Sequence, residues 1–237
     1  MRIIGHRGAR GEAPENTLGG FSYLKDLGIT AVEFDVRQLD DDTLVVMHDD
    51  NFLRTTGVEH ELYAIDANEL QRFNQAAIWL DWQHQDTPRL DQALALMTQF
   101  EHIEVEVKAV NSLAAAKRLV TSLTQQLKGF EHNAVITSFD HKILHAVQQQ
   151  NSGLSTGLLI EDAALTQPIA LALSLGCCQI GWMDQLATDE KIAATQAAGL
   201  KVSVWTVNDF SRLQHLQNLA VDGVITDLPK YMLQQLN

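Results

Sequence analysis

Basic residues, cysteines and long apolar runs are all scarce in this chain, and each scarcity excludes something. The 237 residues carry 17 Lys and Arg against 30 Asp and Glu, a formal net charge of −13. Binding a nucleic-acid backbone takes clustered cationic side chains that displace its counterions, and no such cluster occurs here. Nucleic acid is therefore not an expected partner. The two cysteines, Cys177 and Cys178, are adjacent. They cannot staple distant segments, and they lack the Cys/His spacing of a zinc site. No apolar run reaches the roughly 20 residues of a membrane span, so stable membrane insertion is not expected. Residues 1–6 show no apolar signal-peptide core, which makes the cytoplasm the expected location. No flexible linker or low-complexity tract interrupts the chain, so one domain over residues 1–237 is expected. The length suits a single α/β barrel.

What is present is an alternation of short β-rich runs with amphipathic stretches, the pattern of parallel βαβ units. The runs predict strands at 2–5, 31–36, 103–108, 134–138, 155–160, 177–180, 201–206 and 223–226. Apolar spacing of three and four residues predicts helices at 18–27, 90–100, 113–127, 142–149, 163–175, 188–198 and 210–219. Gly28 and Gly199 follow helices directly, and Asp209 stands where an N-cap belongs. Eight strand-helix units imply a closed (β/α)₈ TIM barrel. One interval is too long: about 66 residues separate the second and third of these strands. Residues 43–47 read as an extra strand after the turn Asp40-Asp41-Asp42. The rest, with one polar helix near 67–73, reads as an insertion over one barrel mouth, about 38–90 in all.

In such a barrel, side chains at the C-terminal strand ends point into one shared site. The first strand ends in His6-Arg7-Gly8. Glu33 and Asp35 lie on one face of the second, with Phe34 on the other, because strand side chains alternate. By the same rule Glu104, Glu106 and Lys108 share a face of the third. The extra strand runs into His48-Asp49-Asp50, and later strands end in Ser138-Phe139-Asp140, Trp205-Thr206-Val207-Asn208 and Thr226-Asp227. Charges inside a barrel are costly unless paired or bound to metal. Arg37 and Lys108 are available as ordinary ion-pair partners. Several carboxylates with no clustered thiols make a hard oxygen site, suited to Ca²⁺ or Mg²⁺ rather than Zn²⁺. Glu33, Asp35 and Glu106 are the natural ligands. Arg7 and Lys108 add fixed positive charge, which fits an anionic phosphate-bearing substrate. His6 and His48 can serve as acid and base near neutral pH.

These same residues carry a family resemblance. His6-Arg7-Gly8, Ala13-Pro14-Glu15-Asn16-Thr17, Glu33-Phe34-Asp35-Val36 and His48-Asp49-Asp50-Asn51 with Arg54-Thr55-Thr56 strongly resemble the glycerophosphodiester phosphodiesterase family. So do Glu106-Val107-Lys108, Ser138-Phe139-Asp140, 204–208 and 222–229. The resemblance runs essentially end to end, with the motifs in family order. It implies a TIM barrel with an insertion in the place found above. It also implies hydrolysis of glycerophosphodiesters to sn-glycerol 3-phosphate and an alcohol, dependent on a divalent cation. By matching position, His6 and His48 correspond to the acid/base pair, Glu33, Asp35 and Glu106 to the metal ligands, and Arg7 and Lys108 to phosphate-facing groups. Glu15 and Asn16 either contact substrate or brace their loop, with Thr17 capping the helix. Trp205, at a strand end, reads as core or, in preference, as a wall against the glycerol or alcohol moiety. Asp227 reads as an anchor of the last loop, and Trp79, Trp82, His84 and His102 as structural or surface residues. Which histidine is the acid, and whether water attacks directly or a cyclic phosphate forms first, the residues leave open, as they do headgroup preference and oligomeric state.

Three rival readings follow from the same residues. Lys108 at a strand end could form a Schiff base, although carboxylates beside it favour its charged form. A binding module could keep the barrel and lose the chemistry, yet His6, His48 and all three carboxylates are present. A lysophospholipase D could use the same site on a lipid, with Phe52, Leu53, Ile78, Trp79, Leu80 and Trp82 of the insertion as its apolar surface. Replacing His6 or His48 should lower kcat by roughly 10²–10⁴ while leaving the circular-dichroism spectrum unchanged.

Overall fold

The structure, a computed structural model, describes residues 1–236. Its strands in chain order are β1 (Arg2–Gly5), β2 (Ala31–Gln38), β3 (Leu44–Val46), β4 (His102–Val107), β5 (Ala134–Ser138), β6 (Ser155–Ile160), β7 (Gln179–Met183), β8 (Lys201–Trp205) and β9 (Gly223–Thr226). Eight of them pair in parallel in the order β1-β9-β8-β7-β6-β5-β4-β2, and a β1–β2 pairing closes the ring. This is the expected (β/α)₈ barrel. The ninth, β3, runs antiparallel along the end of β2, with Val36 opposite Val46 and Gln38 opposite Leu44. Asp41 makes the turn between them by accepting the Thr43 N–H at 2.9 Å.

The helices are α1 (Leu18–Asp26), α2 (Leu53–Thr56), α3 (Leu90–Leu96), α4 (Leu113–Gln126), α5 (His141–Gln150), α6 (Pro168–Ser174), α7 (Asp189–Ala197), α8 (Phe210–Asn218) and α9 (Pro229–Leu236). Thr17, Ser112, Asp140, Thr188 and Asp209 cap α1, α4, α5, α7 and α8 with their side chains, satisfying amides that have no partner within a helix. Three elements depart clearly from expectation. The run at 163–175 becomes helical only at Pro168, because Gln167 adopts a left-handed φ of 54° and proline occupies the first helical position. The terminal helix α9, also opened by a proline, was not foreseen. The expected strand at 177–180 starts at Gln179 instead, since the Cys177 N–H is spent on the Ala172 carbonyl at the end of α6.

Alternation along the strands divides the barrel into two environments. Val32, Phe34, Val36, Ile103, Val105 and Val107 face outward and pack against Phe21, Leu24, Leu94, Leu119 and Leu123 of the helices. A second outer core gathers Ile180, Trp182, Val202, Val204, Leu213 and Leu216. The inward positions therefore carry the polar residues. The insertion has its own small core, in which Phe52 stacks on Phe73 at 3.8 Å between Leu39, Met47, Leu62 and Leu70. Phe52 is thus sealed inside, and Trp82 packs edge-on against Tyr23 of α1. Leu53, Ile78 and Leu80 are exposed. Among the described residues no helix is long and apolar enough to cross a membrane.

One close approach ties this frame to the loop after β1. A Cβ on Gly5 would lie 2.0 Å from the Gly8 carbonyl oxygen and 2.6 Å from Leu24. Only glycine lets the chain turn back there. Gly5→Ala should destabilise the protein by about 1–3 kcal/mol, read as a lower urea midpoint, and should reduce activity by displacing His6 and Arg7.

Candidate active site

A cavity of about 160 Å³ opens where the strands end, among His6, Arg7, Glu33, His48, Glu106 and Lys108 on one side and Phe139, Leu159, Trp205 and Ile225 on the other. Parallel register sets Asp35 of β2 beside Glu106 of β4, and Glu33 projects one step below. One carboxylate oxygen from each of Glu33, Asp35 and Glu106 falls within 4.8 Å of the others. Burial pushes the Glu33 carboxyl well above the usual range, and the neighbouring Asp35 and Glu106 charges add to the effect. Glu106 is raised for the same two reasons, burial and Asp35. Burial works the same way on Asp35, but Lys108 and Arg7 outweigh it and hold that carboxyl far below the ordinary range. Lys108 Nζ lies 2.6 Å from Asp35 Oδ1 and also contacts Glu106. Burial opposes the Lys108 charge, yet these two carboxylates prevail and raise its pKa, which disfavours a Schiff-base role. Arg37 instead turns away and donates from Nε and Nη2 to the His48 carbonyl at 3.0 and 2.7 Å.

Three carboxylates thus face two fixed cations, Arg7 and Lys108, and Glu33 Oε1 is buried with no hydrogen-bond partner among the described residues. An all-oxygen, net-negative donor set with an unpaired buried oxygen fits a hard divalent cation.

The two histidines are built alike. His6 Nδ1 lies 2.6 Å from Asp227 Oδ1, and Asn208 donates to the other Asp227 oxygen at 2.8 Å while accepting the Asp227 N–H at 2.9 Å. His48 Nδ1 lies 2.7 Å from Asp49 Oδ1, and Arg54 Nε donates to Asp49 Oδ2 at 2.7 Å. Burial opposes ionisation of Asp227 and of Asp49, but the histidine at each, joined by Asn208 at Asp227 and by Arg54 at Asp49, outweighs it and holds both carboxyls low. An ionised carboxylate only accepts, so Nδ1 carries the proton in each ring and Nε2 is left for chemistry. His6 Nε2 stands 3.9 Å from Glu33. Burial lowers the His6 pKa despite its bond to Asp227.

The model of the glycerophosphoryl diester phosphodiesterase family matches residues 6–231. The chain belongs to that family. As a glycerophosphodiester phosphodiesterase it is a phosphoric diester hydrolase. The glycerophosphodiester phosphodiesterase of Caldanaerobacter subterraneus subsp. tengcongensis is 26% identical over 235 residues, 98% of this chain and 96% of its own. That of Bacillus altitudinis is 26% identical over 235 residues, 96% and 95% of the two chains. A solved phosphodiesterase from Oleispira antarctica, in complex with the product sn-glycerol-3-phosphate, superposes with a TM-score of 0.89 at 24% identity, over 100% of this chain and 96% of that one.

Behind the cavity of this phosphodiesterase lies a charged brace. Arg7 and Asn16 both hold a left-handed φ, 51° and 55°, a conformation that persists only where surroundings enforce it. The Arg7 N–H donates to Glu33 Oε2 at 3.0 Å, and its Nη1 to Glu15 at 2.9 Å. Asn16 Nδ2 donates to Asp35 Oδ2 at 2.8 Å. Arg54 grips both Glu15 oxygens at 2.7 Å. Glu15 and Asn16 therefore stand behind Arg7 and Asp35, outside the cavity lining. Trp205 lines it, anchored by Nε1 to the Gly181 carbonyl at 3.1 Å and edge-on to Phe139. Every ionisable group of this constellation except Asp227 comes from residues 6–108. The sequence reading gave Arg54 and Asp49 no role, although both stand in the His48 motif, and it assigned Asp227 to the last loop rather than to His6.

Burial opposes the Glu15 charge, but the bonds from Arg54 and Arg7 outweigh it and lower its pKa. A depressed carboxyl stabilises the fold above its unfolded pKa and loses that contribution as pH falls through the folded value. Glu15→Gln should therefore be less stable than the wild type at pH 7. The gap should close as pH drops below about 4.5, the ordinary glutamate value, in urea titrations across pH.

Proposed function

We propose that this chain hydrolyses glycerophosphodiesters to sn-glycerol 3-phosphate and an alcohol, using a divalent cation, Ca²⁺ or Mg²⁺, and His6 and His48 as its acid–base pair. The observation that carries the reading is the convergence of three carboxylate oxygens within 4.8 Å beside two histidines, each fixed through Nδ1 by an aspartate. Glu33, Asp35 and Glu106 would hold the cation, which when bound supplies Lewis-acid charge at the phosphoryl oxygens.

The rest belongs to the chain's own groups. Arg7 and Lys108 face the non-bridging oxygens and offset the charge that grows on them in the transition state. One histidine takes at Nε2 the proton of the attacking group, either water directly or a glycerol hydroxyl whose cyclic phosphate water then opens. The other, protonated, gives its Nε2 proton to the bridging oxygen as the bond to phosphorus breaks and the alcohol leaves. Asp227 keeps His6 in the required tautomer, and Asp49 does so for His48. Arg54 positions Asp49 and Glu15 together, so it acts on His48 and on Arg7 through them. Long-range attraction cannot capture the substrate, since a net charge of −13 repels a phosphodiester. Capture is local. The location that goes with this reading is the cytoplasm and the substrates are small soluble diesters. A second reading, hydrolysis of lysophospholipids at the same site, is favoured by the exposed Leu53, Ile78 and Leu80 of the insertion, the last 98% accessible.

The test is a panel of glycerophosphocholine, glycerophosphoethanolamine, glycerophosphoglycerol and lysophosphatidylcholine, assayed after EDTA treatment and again with Ca²⁺ or Mg²⁺ restored. Release of glycerol 3-phosphate from a soluble diester should vanish with EDTA and return with the cation. Lysophosphatidic acid as the main product would favour the second reading. No cation-dependent release from any of the four would overturn both.

A further inference from the structure

The floor of the cavity holds two polar side chains that the proposed reaction leaves unused. Glu104 of β4 and Thr137 of β5 are each 1% exposed, and both line the cavity. Thr137 is level with Glu106 in the β4–β5 register, and Glu104 lies two residues deeper. Glu104 Oε1 is fully engaged: Gln179 Nε2 donates to it at 2.9 Å and His102 Nε2 lies 3.0 Å away. Gln179 Nε2 also donates to Ser203 Oγ at 3.0 Å, so the carboxylate is held from below and cannot swing. Among the described residues its Oε2 has no hydrogen-bond partner, and neither has Thr137 Oγ1. Leaving such groups buried and unpaired is costly, so a site that keeps two of them on neighbouring strands of one cavity wall is arranged to receive a polar guest.

The wall on the β5–β9 side is largely apolar, with Phe139, Leu159, Trp205 and Ile225 beside Glu161 and Thr206. A short carbon chain fits between such walls, and a hydroxyl at its end would meet one acceptor and one hydroxyl. We infer that Glu104 and Thr137 form a subsite for the terminal hydroxyl of the glycerol moiety, below the phosphate held by Arg7 and Lys108. The hydroxyl donates its hydrogen to Glu104 Oε2 and accepts one from Thr137 Oγ1, so a single group satisfies both. A methyl group in that place leaves both buried oxygens unpaired, which is how a polar pocket rejects a deoxy analogue. This inference rests on the phosphodiesterase reading above.

The experiment compares kcat/KM for the p-nitrophenyl phosphodiesters of glycerol and of propane-1,2-diol 1-phosphate, which lacks only the terminal hydroxyl. Both share one leaving group. The wild type should prefer the glycerol ester by about tenfold or more, and Thr137→Val and Glu104→Gln should each bring the ratio close to one. Thr137→Val removes a hydroxyl that bonds to nothing in the protein, so it keeps the fold, checked by its melting temperature, and carries the test if Glu104→Gln does not fold. A wild-type ratio near one overturns the inference, as does an unchanged ratio in a folded Thr137→Val variant. A wild type that turns over neither ester with Ca²⁺ or Mg²⁺ present removes the phosphodiesterase reading itself, and this inference with it.

Discussion

Three carboxylates packed inside a barrel repel one another, and the surrounding architecture answers that repulsion. Glu33 and Asp35 occupy alternate positions of one strand, and Glu106 is hydrogen-bonded into register beside them. Their mutual field and their burial both resist ionisation. Arg7 and Lys108 are drawn in as partners, and each must then be held in place. Arg7 needs a strained backbone, a backbone bond to Glu33 and the Glu15 carboxylate. Glu15 in turn needs Arg54, and Arg54 reaches Asp49 and so His48. One run of alternating charge therefore extends from the metal-competent carboxylates to the outer histidine. Because a buried charge stripped of its partner is strongly destabilising, such a run is resistant to piecemeal change.

Much of this was legible in the sequence where short-range rules decide. Period-two alternation separated Glu33 and Asp35 from Phe34, and the structure buries Phe34 in the outer core. The chain order of strands and helices was equally readable, since each strand-helix unit signals itself. What escaped was set at long range or by competing local geometry. Asp227 meets His6 across 221 positions, a contact that exists only because β9 closes the ring against β1. Arg54 meets Glu15 across 39, through the docking of an insertion whose path no periodicity describes. Alternation placed Glu104 on the same face as Glu106, as the structure has it, but could not show that Gln179 and His102 fix it at a deeper level. At α6, a left-handed Gln167 ahead of Pro168 overrode an apolar pattern that begins five residues earlier.

The charge balance of the whole chain and that of the site point in different directions. A surface rich in Asp and Glu keeps the molecule soluble and repels anions. Inside the site Arg7 and Lys108 place fixed positive charge beside the low-dielectric walls that Phe139, Leu159 and Trp205 supply, where Coulomb forces act more strongly than at the surface. An anion gains from these charges only after it has entered, so affinity depends on shape and local contacts more than on diffusion in a long-range field.

The clustering of nearly all the ionisable machinery in residues 6–108 divides the polypeptide into two unequal partners in evolutionary terms. The first half carries reactivity and is bound together by charges that must change in concert. The second half, from β5 to β9, supplies Phe139, Leu159, Trp205 and Ile225, with Glu161 beside them, as a wall, and among the described residues Asp227 alone reaches back into the charged network. Mutational drift in that wall can reshape which carbon chain is admitted beside the phosphate-facing groups while the charged network stays intact. A lineage built on this plan is free to diversify its diet at one tempo and preserve its reaction at another.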